Sequence, residues 1–138
     1  MKKIILMFFI LAVVAMPSFS QSLAVGKWKL IAYSFSGKVE HPIEGIDITL
    51  NIHTDGKLGG KSGCNVYGGE YTVENDKLKI TDIISTMMFC DEETNKFEQD
   101  FYGILNSATK FSVRKRELTL TDRATHKFLR FVDTKDDK

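Results

Sequence analysis

Residues 57–71, with the sequence KLGGKSGCNVYGGEY, constrain the fold more than any other part of the chain. They contain five glycines, one of the two cysteines, an asparagine and two tyrosines, and they lie between segments with strand-like patterns. Glycine is favoured where the backbone takes positive φ angles or approaches another backbone closely. This density of glycine predicts tight backbone bends at a fixed place in a β-rich domain.

The N-terminus has the pattern of a secretory signal peptide. Two lysines provide a positive start, residues 4–16 form an unbroken apolar run, and Pro17 ends it. The run is shorter than the roughly 18–20 apolar residues of a membrane-spanning helix. We therefore expect residues 1–20 to be a signal peptide that is cleaved after Ser20. No cysteine follows the run, so we expect a periplasmic or secreted protein without a lipid anchor.

The mature chain has the size of one ordinary domain. Removal of residues 1–20 from the 138-residue chain leaves about 118 residues, and the formal charge moves from +1 to about −1. Charges of both signs are interspersed, and this balance does not favour nucleic acid as a partner. We read the charged residues 133–138 as a frayed, disordered tail.

Alternation of apolar and polar residues predicts strands along most of the mature chain. In residues 46–53, four aliphatic residues alternate with polar ones, as in a sheet with one buried face. Trp28 alternates with lysines in the first strand, and we interpret it as a core anchor rather than a ligand contact. Asp55-Gly56 and Asn75-Asp76 are hairpin-turn signals. Besides the glycine stretch, the predicted strands are residues 26–33, 46–53, 70–74, 77–80, 110–115, 118–121 and 127–132.

The pattern changes to a helical one after Cys90. Apolar side chains recur with the spacing of one helix face at Phe97, Phe101, Ile104, Leu105 and Ala108. Asp91 is a favourable N-cap, and the two glutamates after it lie where the helix dipole favours negative charge. We expect the helix to close one mouth or side of the sheet, with its apolar stripe in the core.

These elements predict a mainly β fold. About seven or eight short strands with tight turns and one helix are typical of a sandwich or a small closed barrel. A barrel also removes the open sheet edges that a β protein must otherwise protect.

Familiar catalytic and metal-binding patterns do not occur in the sequence. The three histidines lie far apart and lack the spacing of a zinc site. Residues 56–62 resemble a phosphate-binding loop, but they are one residue short and no helix pattern follows. No GxSxG motif is present. We therefore expect a protein that is not an enzyme, with no catalytic residues, no metal and no cofactor.

Cys64 and Cys90 are the two cysteines of the chain. A cysteine nucleophile would need a histidine and a third orienting group nearby, whereas an oxidising compartment favours a disulfide. Closure of a loop of about 26 residues would stabilise the fold by roughly 3–4 kcal/mol in the chain-entropy model. The bond requires the two Cα atoms to lie within about 7 Å of each other.

Several motifs follow one another in a recognisable order. Gly26-x-Trp28-x-Leu30 comes first, followed by Asp55-Gly56-x-Leu58-x-Gly60, Ser62-Gly63-Cys64-Asn65-x-Tyr67-x-Gly69-x-Tyr71 and Thr86-x-Met88-x-Cys90. This order resembles the META domain family, the HslJ-like proteins, over residues 24–132. The GCNxYxGxY element together with TxMxC is the specific part of the resemblance.

The resemblance implies a small antiparallel β-barrel of lipocalin-like topology with one helix packed against it. It also implies an exported bacterial protein that is linked to envelope or heat-shock stress and to resistance to some antibiotics. No enzymatic activity or cofactor is established for the family. Many members are lipoproteins, but this chain lacks the lipid-bearing cysteine, so no stable membrane anchor is expected after cleavage.

Asn65, Tyr67 and Tyr71 form the candidate binding surface. Asn65 is either a turn residue with a left-handed backbone or a residue whose amide faces a ligand. Tyr67 and Tyr71 share one face of their strand. If that face points outward, they form an aromatic platform for a peptide or a glycan; if it points inward, they belong to the core.

The predicted function is therefore binding, and three forms of it remain open. The first is an exported monomer that binds a protein, peptide or glycan of the envelope through residues 62–71. The second is an inhibitor of a secreted hydrolase, which inserts residues 36–45 or the glycine bend. The third is a lipocalin-like carrier of a small apolar ligand, although a small barrel can be filled by its own side chains.

Overall fold

The structure, a computed structural model, describes residues 23–135, and these form eight β-strands and one α-helix. In chain order the elements are β1 (Gly26–Ser34), β2 (Thr49–Ile52), β3 (Lys57–Lys61), β4 (Val66–Glu74), β5 (Lys77–Ser85), α1 (Glu92–Ser107), β6 (Lys110–Arg114), β7 (Glu117–Thr121) and β8 (Phe128–Asp133). The predicted signal peptide, residues 1–20, lies outside the described residues, as do residues 136–138 of the predicted tail.

The strands form a closed, barrel-like ring. Each strand pairs antiparallel with the next one, and β8 pairs with β1. This order confirms the predicted small antiparallel barrel with one helix. Pairing is least extensive between β5 and β6, where Lys77 lies opposite Lys110. The helix α1 connects these two strands and packs against β5. It therefore lies beside the least paired part of the ring.

Side chains from every strand fill the interior of the ring. The most deeply buried apolar side chains, each less than 2 % exposed, are Phe101, Phe111, Phe131, Leu50, Leu105, Leu118, Leu120 and Leu129. Trp28 is buried as predicted, and its indole Nε1 donates a hydrogen bond to the Ala24 carbonyl at 3.0 Å. Burial of side chains of this size contributes on the order of 1.5–3 kcal/mol each. The barrel is thus held together by its own packed interior.

The helix begins and faces the core much as the sequence predicts. Asp91 is the N-cap, and its carboxylate accepts a hydrogen bond from the Thr94 N–H at 2.8 Å. The predicted stripe packs inward, with Phe97 partly buried against the rings of Tyr33 and Phe35. Glu98, which the apolar pattern does not include, is also buried on this face.

The glycine-rich stretch is mostly paired strand. It comprises β3, the start of β4 and a turn at residues 62–65. A Cβ atom on Gly60 would lie 2.2 Å from the Thr49 carbonyl oxygen, so close backbone approach requires glycine there. Gly63 has a φ of +121° and forms the bend itself. The tight bend predicted for residues 57–71 therefore occurs only in the turn at residues 62–65.

Both β4 and β5 are longer than the sequence pattern predicts. β4 begins at Val66 and β5 extends to Ser85. The pairing of the two strands shifts register between Gly68 and Glu70. Such a bulge interrupts the alternation of inward and outward side chains, which is the signal on which strand prediction depends.

The C-terminal end of the fold also differs from expectation. Asp133 is the last residue of β8, and the N–H of Thr134 donates to the Lys27 carbonyl at 3.1 Å. The tail predicted for residues 133–138 therefore begins too early, because Asp133 pairs with β1 and Thr134 is hydrogen-bonded to Lys27.

Candidate functional site

Cys64 and Cys90 form a disulfide, as predicted. Their Cα atoms lie 6.0 Å apart, and 26 positions separate them in the sequence. The bond joins the turn between β3 and β4 to the residue before the helix N-cap. It therefore fixes one end of the segment that leads from β5 to α1.

Asn65 is buried next to the disulfide and holds the middle of the same segment. Its Oδ1 accepts hydrogen bonds from the Met88 N–H at 2.7 Å and the Thr86 hydroxyl at 2.8 Å. Its Nδ2 donates to the Met88 carbonyl at 3.1 Å and to the Glu98 carboxylate at 3.2 Å. Positive φ in this turn occurs at Gly63 rather than at Asn65. Asn65 thus anchors a loop, instead of filling either of its two predicted roles.

Tyr67 and Tyr71 both point toward the core, which is the second of the two predicted alternatives. Tyr67 is 6 % exposed, its hydroxyl donates to the Thr49 carbonyl at 2.8 Å, and its ring packs edge-on against Phe101. Burial raises the pKa of Tyr67 well above its ordinary value. Tyr71 is partly buried, and its hydroxyl donates to the His53 carbonyl. Neither ring forms an outward aromatic platform.

Glu98 joins the helix to the turn, a role that no motif in the sequence indicated. Its carboxylate accepts hydrogen bonds from the Ser62 hydroxyl at 2.6 Å and from the backbone N–H groups of Asn65 and Cys64 at 3.2 and 3.3 Å. The Tyr102 hydroxyl donates to it at 3.2 Å. A buried carboxylate is stabilised by donors of this kind. Its position could have indicated burial, because residues 94, 98, 101 and 105 share one helix face.

This polar cluster does not have the form of an active site. Ser62 is fully buried, and Glu98 is 3 % exposed. Their hydrogen bonds are made to each other, to the surrounding turn and to the Tyr102 hydroxyl. A nucleophile or a proton donor must reach its substrate, whereas these groups are closed off from solvent. The cluster therefore connects α1 to the turn and the disulfide.

Asn65 and the disulfide hold a segment that is exposed and largely apolar. It comprises the last two residues of β5 and the four residues after them, and we call these residues, 84–89, the apolar loop. Met87 is 96 % exposed, Phe89 79 % and Ile84 74 %. Val66 on β4 is also exposed, and β4 and the end of β5 border a shallow apolar hollow of about 310 Å³. Exposed apolar surface is a common feature of interaction sites, which makes the apolar loop a candidate site.

The family model of the META domain matches residues 21–135 of the chain. The chain belongs to the META domain family. The match covers all eight strands and the helix, and it confirms the resemblance drawn from the sequence motifs.

Solved structures share the fold of this META domain. An NMR structure of a protein from Burkholderia xenovorans is 23 % identical, with a TM-score of 0.68, and the match covers 87 % of this chain and 99 % of that one. A crystal structure of a DUF4847 family protein from Bacteroides vulgatus is 16 % identical, with a TM-score of 0.57, over 83 % and 96 % of the two chains. At these identities the likeness concerns the fold alone.

No curated protein matches this META domain. In residues 23–135, no helix combines the length and apolarity that a membrane span needs. The same part of the chain contains no group of three or more His, Cys, Asp or Glu side chains that could hold a metal ion.

Proposed function

We propose that this META domain is an exported, non-enzymatic module that binds a protein partner through the apolar loop. The observation that supports the proposal is the exposure of Met87 and Phe89 on a backbone that Asn65 and the disulfide hold in one conformation. Leaving a side chain of this size exposed costs roughly 1.5–3 kcal/mol of free energy relative to burying it. A partner that covers them recovers this free energy, and a pre-ordered loop loses little entropy on binding.

The charges beside the loop define the partner more closely. Asp91, Glu92 and Glu93 follow the disulfide directly, and all three are exposed. The partner that fits has an apolar groove for Met87 and Phe89 and a basic rim for the acidic residues. Charges at the edge of an interface contribute mainly to orientation and association rate.

Inhibition of a secreted hydrolase is the form of binding that this loop suits well. The predicted inserted elements were residues 36–45 or the glycine bend. The apolar loop is a better candidate because the disulfide and the Asn65 side chain fix it. The carrier hypothesis receives no such support, since the barrel interior is occupied by phenylalanine and leucine side chains.

Export and location are part of the proposal. The signal-peptide pattern of residues 1–20 and the absence of a lipid-bearing cysteine favour a soluble periplasmic or secreted monomer. The disulfide is consistent with an oxidising compartment. The stress-related role that the family resemblance implies would then be exerted through the bound partner. Fractionation of cells that carry the tagged chain, with and without residues 1–20, tests the location.

The binding proposal is tested with the double variant Met87→Ser/Phe89→Ser. Val39→Ser/Ile43→Ser is the matched control, because it also removes two exposed apolar side chains from a loop. These residues lie in 36–45, the alternative inserted element, so the control also tests that alternative. Partners captured from envelope extract by the mature domain are purified, and their affinity is measured directly by calorimetry. We expect the loop variant to lose about 2 kcal/mol or more of binding free energy and the control to retain the wild-type affinity.

Two results would contradict the proposal. One is a purified partner that binds wild type and the loop variant equally. The other is loop-dependent sedimentation of the mature domain with neutral or anionic lipid vesicles in the absence of any protein partner, which would identify a membrane as the target.

A further inference from the structure

The outward side of β6, β7 and β8 carries a basic concave surface, on the part of the barrel that the apolar loop does not use. We call it the basic face. It encloses about 630 Å³. Its positive charges come from Lys110 and Arg114 of β6, Arg130 of β8 and Arg123 of the turn between β7 and β8. This site is independent of the protein-binding function proposed above.

The basic face concentrates positive charge in a nearly neutral protein. Its lining has four basic residues and one acidic residue, Glu117, which is a formal net charge of +3. The whole 138-residue chain has a formal net charge of +1. Among residues 23–135, Arg114, Arg123 and Arg130 form no salt bridge, and the Lys110–Asp76 pair has a long separation of 4.0 Å. These cations are therefore available to an anionic ligand.

Hydroxyl groups occupy the middle of the basic face. Ser112 lies directly opposite Thr119 on the next strand, and Thr121 lies opposite Lys110. All three side chains are partly exposed and line the concave surface. Hydroxyls both donate and accept hydrogen bonds, whereas the cations only donate. The face thus combines neutral hydrogen-bonding groups at its centre with cations at its edges.

Strand geometry attaches the cations to well separated points of the basic face. Lys110 and Arg114 are four residues apart on β6, about 13 Å along the strand. Arg130 lies two strands away, about 10 Å across the sheet. An extended ligand with several negative charges along its chain matches cations that are spread in this way.

The edge of the basic face near Arg123 is held in one conformation. The Asp122 carboxylate accepts hydrogen bonds from the Thr125 hydroxyl at 2.7 Å and the Ala124 N–H at 3.0 Å. The N–H of His126 donates to the Asp122 carbonyl at 2.8 Å. These bonds order the turn that presents Arg123, which reduces the entropy lost on binding.

From this arrangement we propose that the basic face binds an acidic oligosaccharide. Such a ligand alternates carboxylate, sulfate or phosphate groups with hydroxyls, and this matches cations at the edges and hydroxyls at the centre. Single-stranded nucleic acid is a poorer match, because its binding sites stack bases on aromatic rings. The neighbouring ring of Phe128 already has the Arg130 guanidinium 5.3 Å from its centre.

The test uses the mature domain and fluorescent oligosaccharides of matched length. Oligogalacturonate carries carboxylates, a heparin-derived oligomer carries sulfates, and a dextran oligomer is the uncharged control. We expect both acidic probes to bind and dextran not to bind. Affinity should fall by about tenfold or more between about 50 and 200 mM NaCl, because counterions compete for the cations.

Variants then locate the site. Arg114→Gln/Arg123→Gln removes two exposed cations from the basic face and should weaken binding by about tenfold. Lys57→Gln/Lys79→Gln removes the same charge from exposed positions on β3 and β5 and should change affinity by less than about twofold. Circular dichroism checks that both variants fold. On wild type, NMR amide shifts caused by the probe should map to β6, β7 and β8.

Several outcomes would overturn the inference. They are no binding of either acidic probe, equal losses in the two double variants, and amide shifts that map away from the basic face. Tighter binding of an oligodeoxythymidylate or a polyglutamate peptide of equal charge would also overturn it, since the preferred ligand would then not be an oligosaccharide.

Discussion

Asn65 is hydrogen-bonded to both backbone groups of Met88. Its Oδ1 accepts from the Met88 N–H at 2.7 Å, and its Nδ2 donates to the Met88 carbonyl at 3.1 Å. One side chain thus replaces the neighbouring strand that Met88 lacks. Because Cys90 is bonded to Cys64, the chain is held at two points only two residues apart. The exposed side chains of the apolar loop are therefore presented on a rigid backbone.

Replacement of Asn65 tests this anchor. Asn65→Ala removes four hydrogen bonds and takes from the buried Glu98 Oε1 one of its two donors, the other being the Cys64 N–H. We expect the free energy of unfolding to fall by about 2–3 kcal/mol, measured by urea denaturation with the disulfide intact. Asn106→Ala, at an exposed helix position, should change it by less than about 0.5 kcal/mol. Similar values for the two variants would contradict the anchoring role.

Glu98→Gln tests the connection between α1 and the turn. A carboxylate accepts hydrogen bonds at both oxygens, whereas glutamine presents an NH2 group to donors such as the Asn65 N–H. We expect a loss of about 2–4 kcal/mol in the free energy of unfolding. Glu70→Gln, at an exposed position on β4, is the control and should have an effect below about 0.5 kcal/mol. An unchanged denaturation midpoint for Glu98→Gln would show that the turn does not need this acceptor.

Two glycine substitutions should have opposite effects. A methyl group at Gly60 would meet the Thr49 backbone at 2.2 Å, so Gly60→Ala should destabilise the fold by about 3 kcal/mol. Gly103 lies in α1 with open space around its Cβ position. Gly103→Ala should therefore stabilise the fold by about 0.5–1 kcal/mol through helix propensity. Equilibrium denaturation measures both, and effects of the same sign would refute the argument from close strand approach.

The helix N-cap should make stability depend on pH in the acid range. The Thr94 N–H, and then the Thr94 hydroxyl, hold the pKa of the Asp91 carboxyl below its usual range. A lowered pKa in the folded state contributes stability above the unfolded-state value of about 3.9, and this contribution is lost as pH falls through the folded-state pKa. Wild type should thus exceed Asp91→Asn in stability at pH 7 by more than at about pH 2.

Denaturation midpoints of wild type and Asp91→Asn, measured across this pH range, show whether the stability difference narrows toward low pH. Asp91→Ser keeps a capping oxygen without a charge, so its difference from wild type should narrow in the same way. A difference that stays constant or widens toward low pH would contradict the charged cap.

Local patterns were sufficient for much of the fold. Alternation identified the inward sides of β1 and β2, and the change to a helical period after Cys90 located α1. Asp91 was recognisable as the N-cap because its partner, Thr94, is only three residues away. The disulfide followed from the presence of two cysteines and the expected compartment. All of these features depend on neighbours in the sequence or on composition.

The candidate site was less predictable, because its parts come from distant segments. Period-2 alternation places Tyr67 and Tyr71 on one side of β4, but it does not say which side faces the core. In the sequence Glu98 is an ordinary polar helix residue. Its hydrogen bond with the Ser62 hydroxyl, 36 positions away, exists only in the folded chain. Asn65 was correctly noticed, but its role depends on Met88, which lies 23 positions further along the chain.

Strand periodicity, the helix and its cap, and the closed β architecture were thus contained in the amino-acid sequence, because short-range sterics and alternating burial set them. Closure of the ring decided which side chains became core and which apolar residues stayed outside. Met87 and Phe89 belong to the largely apolar residues 83–90 that precede the helix. They remain exposed because Asn65 and the disulfide hold their backbone outside a barrel that other side chains already fill.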